Sequence, residues 1–212
     1  MFHFDYKDYS FWCNIGNMTY NQYVKMIELL ESYKPKRICE LGSGQSTEIF
    51  DVYKKKYNSQ VYSIEHDKYY NTHHSIMFDL IENTKLYNYD KCNIYKGLED
   101  WINNQDKFDF ILIDGPNDGI MNNDNLQYGR IQLLDFILLN KLTDNSIILY
   151  HDSNLSIYQN TLNEFEKLLS QNKYKFNKEI IKETNENLIQ NNINILGFCP
   201  ELTIYKIQKE LQ

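Results

Sequence analysis

The segment Arg37-Ile38-Cys39-Glu40-Leu41-Gly42-Ser43-Gly44-Gln45-Ser46-Thr47 constrains this chain more than any other stretch. A short apolar run passes through Glu40 into a Gly-x-Gly turn, and Ser46 or Thr47 then offers the hydroxyl of a helix start. A strand, a glycine turn and a helix in that order make a unit of a parallel α/β sheet, with the turn at the strand's carboxyl end, where such sheets take ligands. Glycine lets the backbone approach a ligand with no Cβ in the way. The turn is a poor phosphate cradle. The third glycine of the dinucleotide fingerprint is missing, no Gly-Lys-Ser/Thr follows, and Glu40 would repel a pyrophosphate. A cationic ligand suits it better.

The rest of the chain alternates in the same way. Thr19 is an N-cap for a helix that runs through Tyr33, with Val24, Ile27 and Leu30 at helical spacing, and Pro35 ends it. Short apolar runs at about 37–41, 60–65, 92–96, 108–113 and 145–150 read as strands, with helical stretches between them. That pattern implies a mostly parallel sheet covered by helices on both faces. Asn185 to Asn194 is the most loop-like segment. Residues 1–35 read as an N-terminal helical segment, 36–212 as the α/β core, and 1–212 together as one domain.

Composition narrows the partners. The chain has 212 residues, 42% of them hydrophobic, which is enough for one well-packed core. No apolar run approaches the roughly 18 residues that span a bilayer, and the start lacks a basic region followed by an apolar one, so a cytoplasmic location is expected. Cys13, Cys39, Cys92 and Cys199 have no Cys-x-x-Cys spacing and read as reduced thiols. The net charge is −7 and only Arg37 and Arg130 are arginines, which argues against nucleic acid as a partner. Lys54-Lys55-Lys56 reads as a solvated helix end.

Four strand-end motifs occur in order: ICELGSGQST, VYSIEHD, FDFILIDGP and SIILYHDSN. Together they resemble the class I S-adenosylmethionine-dependent methyltransferases, and within that superfamily the small O-methyltransferases that act on sugars and other hydroxyl-bearing metabolites. The resemblance spans about residues 37 to 154. It implies a Rossmann-like three-layer α/β sandwich with a seven-stranded, mostly parallel sheet of order 3-2-1-4-5-7-6. The last strand would be antiparallel, with segments near 174–181 and 202–208 as the edge pair. It also implies S-adenosylmethionine as cofactor, held by Glu40, Gly42, Ser43, Gly44, Ser46 and Thr47 on the methionine side. Glu65 would take the ribose hydroxyls, with His66, Gly97 and Leu98 around the adenine and Asp114 nearby. The acceptor would be a sugar, nucleotide-sugar or glycan precursor. An aromatic small molecule or protein acceptor is the alternative within the class, and a catalytically silent cofactor-binding subunit the alternative outside it. A homodimer is left open.

Methyl transfer to a hydroxyl asks for alignment and for disposal of a proton. His151, in Tyr150-His151-Asp152, is the candidate general base, with Asp114 and Asp152 as further catalytic acids. In catechol- and macrolide-sugar-type relatives, acids at these strand ends hold a divalent cation. Asp114 and Asp152 are therefore candidate ligands for Mg²⁺ or Mn²⁺. His73 and His74 read as surface residues of a helix. The segment Pro116 to Gln127 is a candidate lid, and Arg130, on a helix beyond it, either clamps an acidic acceptor or makes a structural bond. Tyr9, Phe11, Trp12 and Tyr20 are candidates for an aromatic sugar platform or for core packing.

Overall fold

A computed structural model describes residues 18–71, 74–83, 92–116, 128–182 and 200–210. Helix α1 (Tyr20–Tyr33) begins where expected. The Thr19 hydroxyl accepts from the Gln22 amide while the Gln22 side chain accepts from the Thr19 amide, a reciprocal cap that satisfies two end donors. Then follow β1 (Arg37–Leu41), α2 (Gln45–Tyr57), β2 (Gln60–Glu65), β3 (Ser75–Met77), β4 (Leu80–Asn83), β5 (Cys92–Tyr95), α3 (Leu98–Asn103) and β6 (Phe108–Ile113). A 3₁₀ turn at Ile131–Leu134 leads into α4 (Asp135–Leu138), β7 (Leu142–Tyr150), α5 (Ser156–Gln171), β8 (Tyr174–Lys182) and β9 (Glu201–Lys209).

Seven strands form one sheet in the order β3-β2-β1-β6-β7-β9-β8, and only β9 runs against the others. This is the expected Rossmann-like order, with one position filled by other residues. The third strand of the sheet is Ser75–Met77, whereas Cys92–Tyr95 pairs antiparallel with Leu80–Asn83 in a separate two-stranded sheet. The physical reason is visible at Tyr95, whose amide donates to Gln132 Oε1 at 2.6 Å and whose carbonyl accepts from Gln132 Nε2 at 3.1 Å. A side-chain amide thus takes the place of a neighbouring strand. The helix expected around His73 and His74 is also corrected. Among the described residues no helix lies between β2 and β3, and His74 sits in a turn, with Nε2 3.8 Å from Asp51. His73 lies outside the described residues, as do residues 1–17, 117–127 and 183–199 with Tyr9, Phe11, Trp12, Cys13 and Cys199.

Period-2 alternation along the strands divides the core between two faces. Ile38, Phe110, Leu112 and Leu149 pack under α1 and α2 with Met26, Leu30, Ile49 and Phe50. Cys39, Leu41, Ile111, Ile113 and Tyr150 pack under α4 and α5 with Phe136, Leu162 and Phe165. Each such side chain contributes roughly 1.5–3 kcal/mol on burial, against about 0–1 kcal/mol for an exposed ion pair such as Lys167–Glu164. The sheet is therefore held from its two faces, not from its charged rim.

The order of strands reverses between β1 and β6, since β1 leads outward to β2 while β6 leads the other way to β7. Their carboxyl ends flank the crevice where open α/β sheets bind ligands. Here the two chains touch backbone to backbone. The Asp114 amide at the end of β6 donates to the Leu41 carbonyl of β1 at 2.7 Å, while on the other side of β1 the Gly42 amide donates to the Ile64 carbonyl of β2 at 2.9 Å. Gly42 has φ +92°, and a Cβ on it would lie 2.6 Å from the Gly115 nitrogen and 2.7 Å from the Asp114 carbonyl carbon. Gly44 differs, because a Cβ there would meet nothing within 4 Å. Gly42→Ala is therefore expected to lower stability by at least about 1–3 kcal/mol through strain and backbone clash, and Gly44→Ala by no more than about 1 kcal/mol. Urea unfolding of the two variants checks this, and equal midpoints would refute it.

Candidate active site

Glu40 projects from β1 to the α1–α2 face, directly beneath the first turn of α2. Its carboxylate accepts from the Thr47 hydroxyl at 2.7 Å and from the Ser46 hydroxyl by a short bond, and the side chain is wholly buried. Thr47 Oγ1 also accepts from the Gly44 amide at 3.0 Å. Burial pushes the Glu40 carboxyl up to about 7, against the pull of hydrogen bonds from Ser46, Thr47 and Ser63, with nearby Asp114 adding to the rise. Glu40, Ser46 and Thr47 form one unit that fixes the glycine turn from below. Expected as direct cofactor ligands, all three are buried and bonded to one another.

Glu65 closes the turn from the other side. Its Oε2 accepts from the Ser43 amide at 2.9 Å, and its Oε1 from the His66 and Asp67 amides at 2.7 and 2.8 Å. Three backbone donors on one carboxylate are the strong, charge-assisted kind of hydrogen bond. The Ser43 hydroxyl donates to the Tyr70 carbonyl at 2.8 Å, so the loop after β2 folds back over the turn and leaves Tyr69 and Tyr70 exposed beside it. The His66 ring stands edge-on to Tyr95 at 5.8 Å. A Cβ on Gly115 would lie 2.5 Å from the Tyr95 hydroxyl. Of the third-strand pair, Gly97 is exposed with φ +84°, whereas the Leu98 side chain is buried in the core. Leu98 can offer a ligand only its backbone.

At the ends of β6 and β7, four charged side chains converge. His151 Nδ1 is 2.8 Å from Asp114 Oδ1 and 3.4 Å from Asp152 Oδ2. Arg130 Nη2 is 3.3 Å from Asp114 Oδ1 and 3.1 Å from Asp152 Oδ2, and its Nη1 donates to the His151 carbonyl at 2.7 Å. In a regular strand His151 and Asp152 would face opposite ways. The strand ends at Tyr150, and Asp152 has φ +55°, which turns its carboxylate back onto the same cluster. Burial pulls the His151 pKa down, but Asp114 and Asp152 beside Nδ1 outweigh it and raise the value above an ordinary histidine, even with Arg130 opposing them. Its Nε2 is buried with no hydrogen-bond partner among the described residues. Asp114 is the most accessible of the four, its side chain 19% exposed against 11% for Asp152, 4% for Arg130 and 0% for His151.

Asp114, His151 and Asp152 thus come together as expected, and the glycine turn with Glu40 and Glu65 lies across the crevice from them. Three participants were not foreseen. Tyr23 of α1 is buried close enough to Asp114 and Glu40 for their charges to act on its hydroxyl, whose pKa burial has already raised. Tyr95 packs against Gly115, and Gln132 holds Tyr95. Arg130 was expected on a helix. It stands instead just before the 3₁₀ turn with φ +52°, buried in the acid pair. Its rarity in the sequence was the available signal.

No protein-family model matches the chain, and no curated protein matches its sequence. Solved structures do match. An O-methyltransferase of Streptomyces achromogenes involved in tomaymycin synthesis, solved with S-adenosylmethionine, aligns with a TM-score of 0.53 at 9% identity over 91% of this chain and 82% of that one. An O-methyltransferase from Bacillus cereus, solved with S-adenosylhomocysteine, gives 0.53 at 11% identity over 92% and 84%. A Podospora anserina methyltransferase bound to S-adenosylhomocysteine gives 0.50 at 15% identity over 92% and 81%. The chain has the Rossmann-like fold of S-adenosylmethionine-dependent methyltransferases.

The two raised pKa values make a stability prediction. A group that binds its proton more tightly when folded stabilises the fold below its unfolded pKa, and that contribution is lost as pH rises through its folded pKa. Glu40 acts between pH 4.5 and about 7, and His151 from pH 6.5 upward. Wild-type unfolding free energy is expected to carry a falling component across both windows. Glu40→Gln should remove the lower part and His151→Gln the upper. Chemical denaturation across that pH range checks it, and identical slopes in all three proteins would refute it.

Proposed function

We propose that this chain is an S-adenosylmethionine-dependent O-methyltransferase acting on a hydroxyl of a small molecule, with a sugar or nucleotide-sugar as the acceptor class. The observation that carries the reading is the pairing, across the switch-point crevice, of an open glycine turn with a charged cluster that exposes Asp114. The room in front of Gly44 is a cradle that a side chain would fill, and it fits a ligand lying against backbone. The sugar assignment rests on the resemblance of the four strand-end motifs to O-methyltransferases of hydroxyl-bearing metabolites.

When bound, S-adenosylmethionine supplies a methyl on a positively charged sulfur that is also a good leaving group. The chain's own part is placement and proton handling. Glu40 does not reach outward; through Ser46 and Thr47 it sets the turn on which the methionine portion rests. Glu65, fixed by the Ser43 amide, would take the ribose diol, and the His66 and Tyr95 rings, edge-on to each other, would lie beside the base. Glu65, beside the glycine turn and away from Arg130, suits a ligand with a cationic or hydroxyl-rich end. Asp114, the most exposed of the charged cluster, would accept the hydrogen bond of the acceptor hydroxyl and orient its oxygen for attack. His151 is enclosed with its Nδ1 bonded to Asp114 Oδ1, so it acts on the acceptor through Asp114, the two groups sharing one proton across that bond. The raised His151 pKa puts the acid limb of the rate at higher pH than an ordinary histidine would give.

Calorimetry with S-adenosylmethionine and S-adenosylhomocysteine tests the cofactor site. Both are expected to bind, and Gly44→Val to abolish binding while remaining folded. Preference for NAD, or undiminished affinity in the variant, would overturn the assignment. With a panel of hydroxylated sugars and nucleotide-sugars, Asp114→Asn should lower turnover by about 10²–10⁴-fold with S-adenosylhomocysteine affinity nearly unchanged. His151→Gln should also lose the acid limb. A variant within a few-fold of wild type at every pH would remove Asp114 from the chemistry.

A further inference from the structure

The acid pair at the ends of β6 and β7 is where a divalent cation was expected, and the residues around it do not fit one. We infer that Arg130 is the resident cation of the Asp114–Asp152 pair and that its guanidinium excludes a divalent metal from the site.

Position comes first. Arg130 Nη2 lies 3.3 Å from Asp114 Oδ1 and 3.1 Å from Asp152 Oδ2, so it already bridges the two oxygens that a metal would bridge. An Mg²⁺ or Mn²⁺ ion at about 2.0–2.2 Å from the same oxygens, on the same side, would fall within about 2 Å of that nitrogen, far inside any permitted contact. The donor set is also wrong. Asp114, His151 and Asp152 bring one ligand atom each within 4.8 Å of one another, but the imidazole contributes Nδ1, which is engaged with Asp114 Oδ1 at 2.8 Å. Hard cations of this type take six ligands, mostly oxygens.

Charge points the same way. The Arg130 guanidinium already faces both carboxylates, and a protonated His151 adds to it, so a further double positive charge would meet repulsion within a few ångströms. Burial works against the charge on Arg130, but Tyr158, Asp114 and Asp152 more than compensate, so the guanidinium stays protonated.

Arg130 cannot readily swing aside to admit an ion. Its Nη1 donates to the His151 carbonyl at 2.7 Å, and its guanidinium lies 4.4 Å over the Tyr158 ring. The preceding residue is pinned as well, the Gly129 carbonyl accepting from the Tyr150 hydroxyl at 2.9 Å and from the Thr161 hydroxyl at 2.7 Å. A φ of +52° at a side-chain-bearing residue costs free energy and persists only where surroundings fix it. The surroundings here fix it in order to deliver this one charge.

The inference concerns the charge cluster and does not depend on the methyl-transfer reading, so its test is metal binding itself. Mn²⁺ titration of the full chain, followed by the paramagnetic resonance signal of free Mn²⁺, is expected to show no bound ion in the wild type at millimolar metal. Arg130→Ala, checked for folding by circular dichroism, is expected to gain affinity by at least about 10²-fold, the scale of removing one like charge from within about 4 Å of the ion. Asp152→Asn in that background should abolish the gain, and Arg130→Lys should show none. Mn²⁺ bound by the wild type and lost in Asp152→Asn would overturn the inference, as would a folded Arg130→Ala with no gain. If Arg130→Ala does not fold, the wild-type titration alone decides.

Discussion

The architecture of the site depends on one close approach, where Gly42 and Gly115 meet at the ends of β1 and β6. Neither position has room for a Cβ, because each would strike the other's backbone. This contact fixes the distance between two strand ends that carry different duties. On the β1 side it sets the turn over Glu40, and on the β6 side it sets Asp114. It also brings the Tyr95 hydroxyl against Gly115, so a residue outside the main sheet reports on the same junction. A ligand in the crevice therefore meets walls whose separation is dictated by main chain, which is stiffer than any arrangement of side chains.

Four acids line this junction, and the protein handles them in three ways. Glu40 is wholly buried and receives neutral hydroxyls, which only partly offset the loss of water, so its carboxyl holds its proton toward neutral pH. Glu65 receives three backbone amides. Asp114 and Asp152 receive formal charges from Arg130 and His151. The strength of compensation rises in that order. Beneath the turn, the Glu40 carboxyl can therefore shed its charge by holding its proton, while Asp114, on the far side of the junction, keeps a side chain 19% exposed.

Much of this was legible in the sequence. Thr19 announces the helix cap, the apolar runs at β1, β2, β6, β7 and β9 carry their own period, and the acids and glycines at strand ends fall into one site because parallel sheets gather such ends. What was not legible depends on contacts between distant residues. Ser75–Met77 is too short to stand out, yet it takes the sheet edge, while the more strand-like Cys92–Tyr95 is diverted by Gln132. Leu98 follows a strand end like the other site residues, but its apolar side chain goes to the core. The strand-end acids Asp114 and Asp152 suggest a metal through their resemblance to the cation-holding acids of catechol- and macrolide-sugar-type O-methyltransferases. Only the fold shows that an arginine from the preceding segment is threaded between them.

Gln132 has a wider meaning for how the molecule is assembled. The β4–β5 ribbon shares no ladder with the seven-stranded sheet, and a single carboxamide from the 3₁₀ turn ties its end in place through both hydrogen-bonding groups of Tyr95. Main-chain ladders transmit a change of register to every strand beyond them. A side-chain tether does not. The ribbon's pairing register can therefore change without shifting the register of β1 or β6, while Cys92, Ile94 and Tyr95, buried with those strands, stay bound to the shared core.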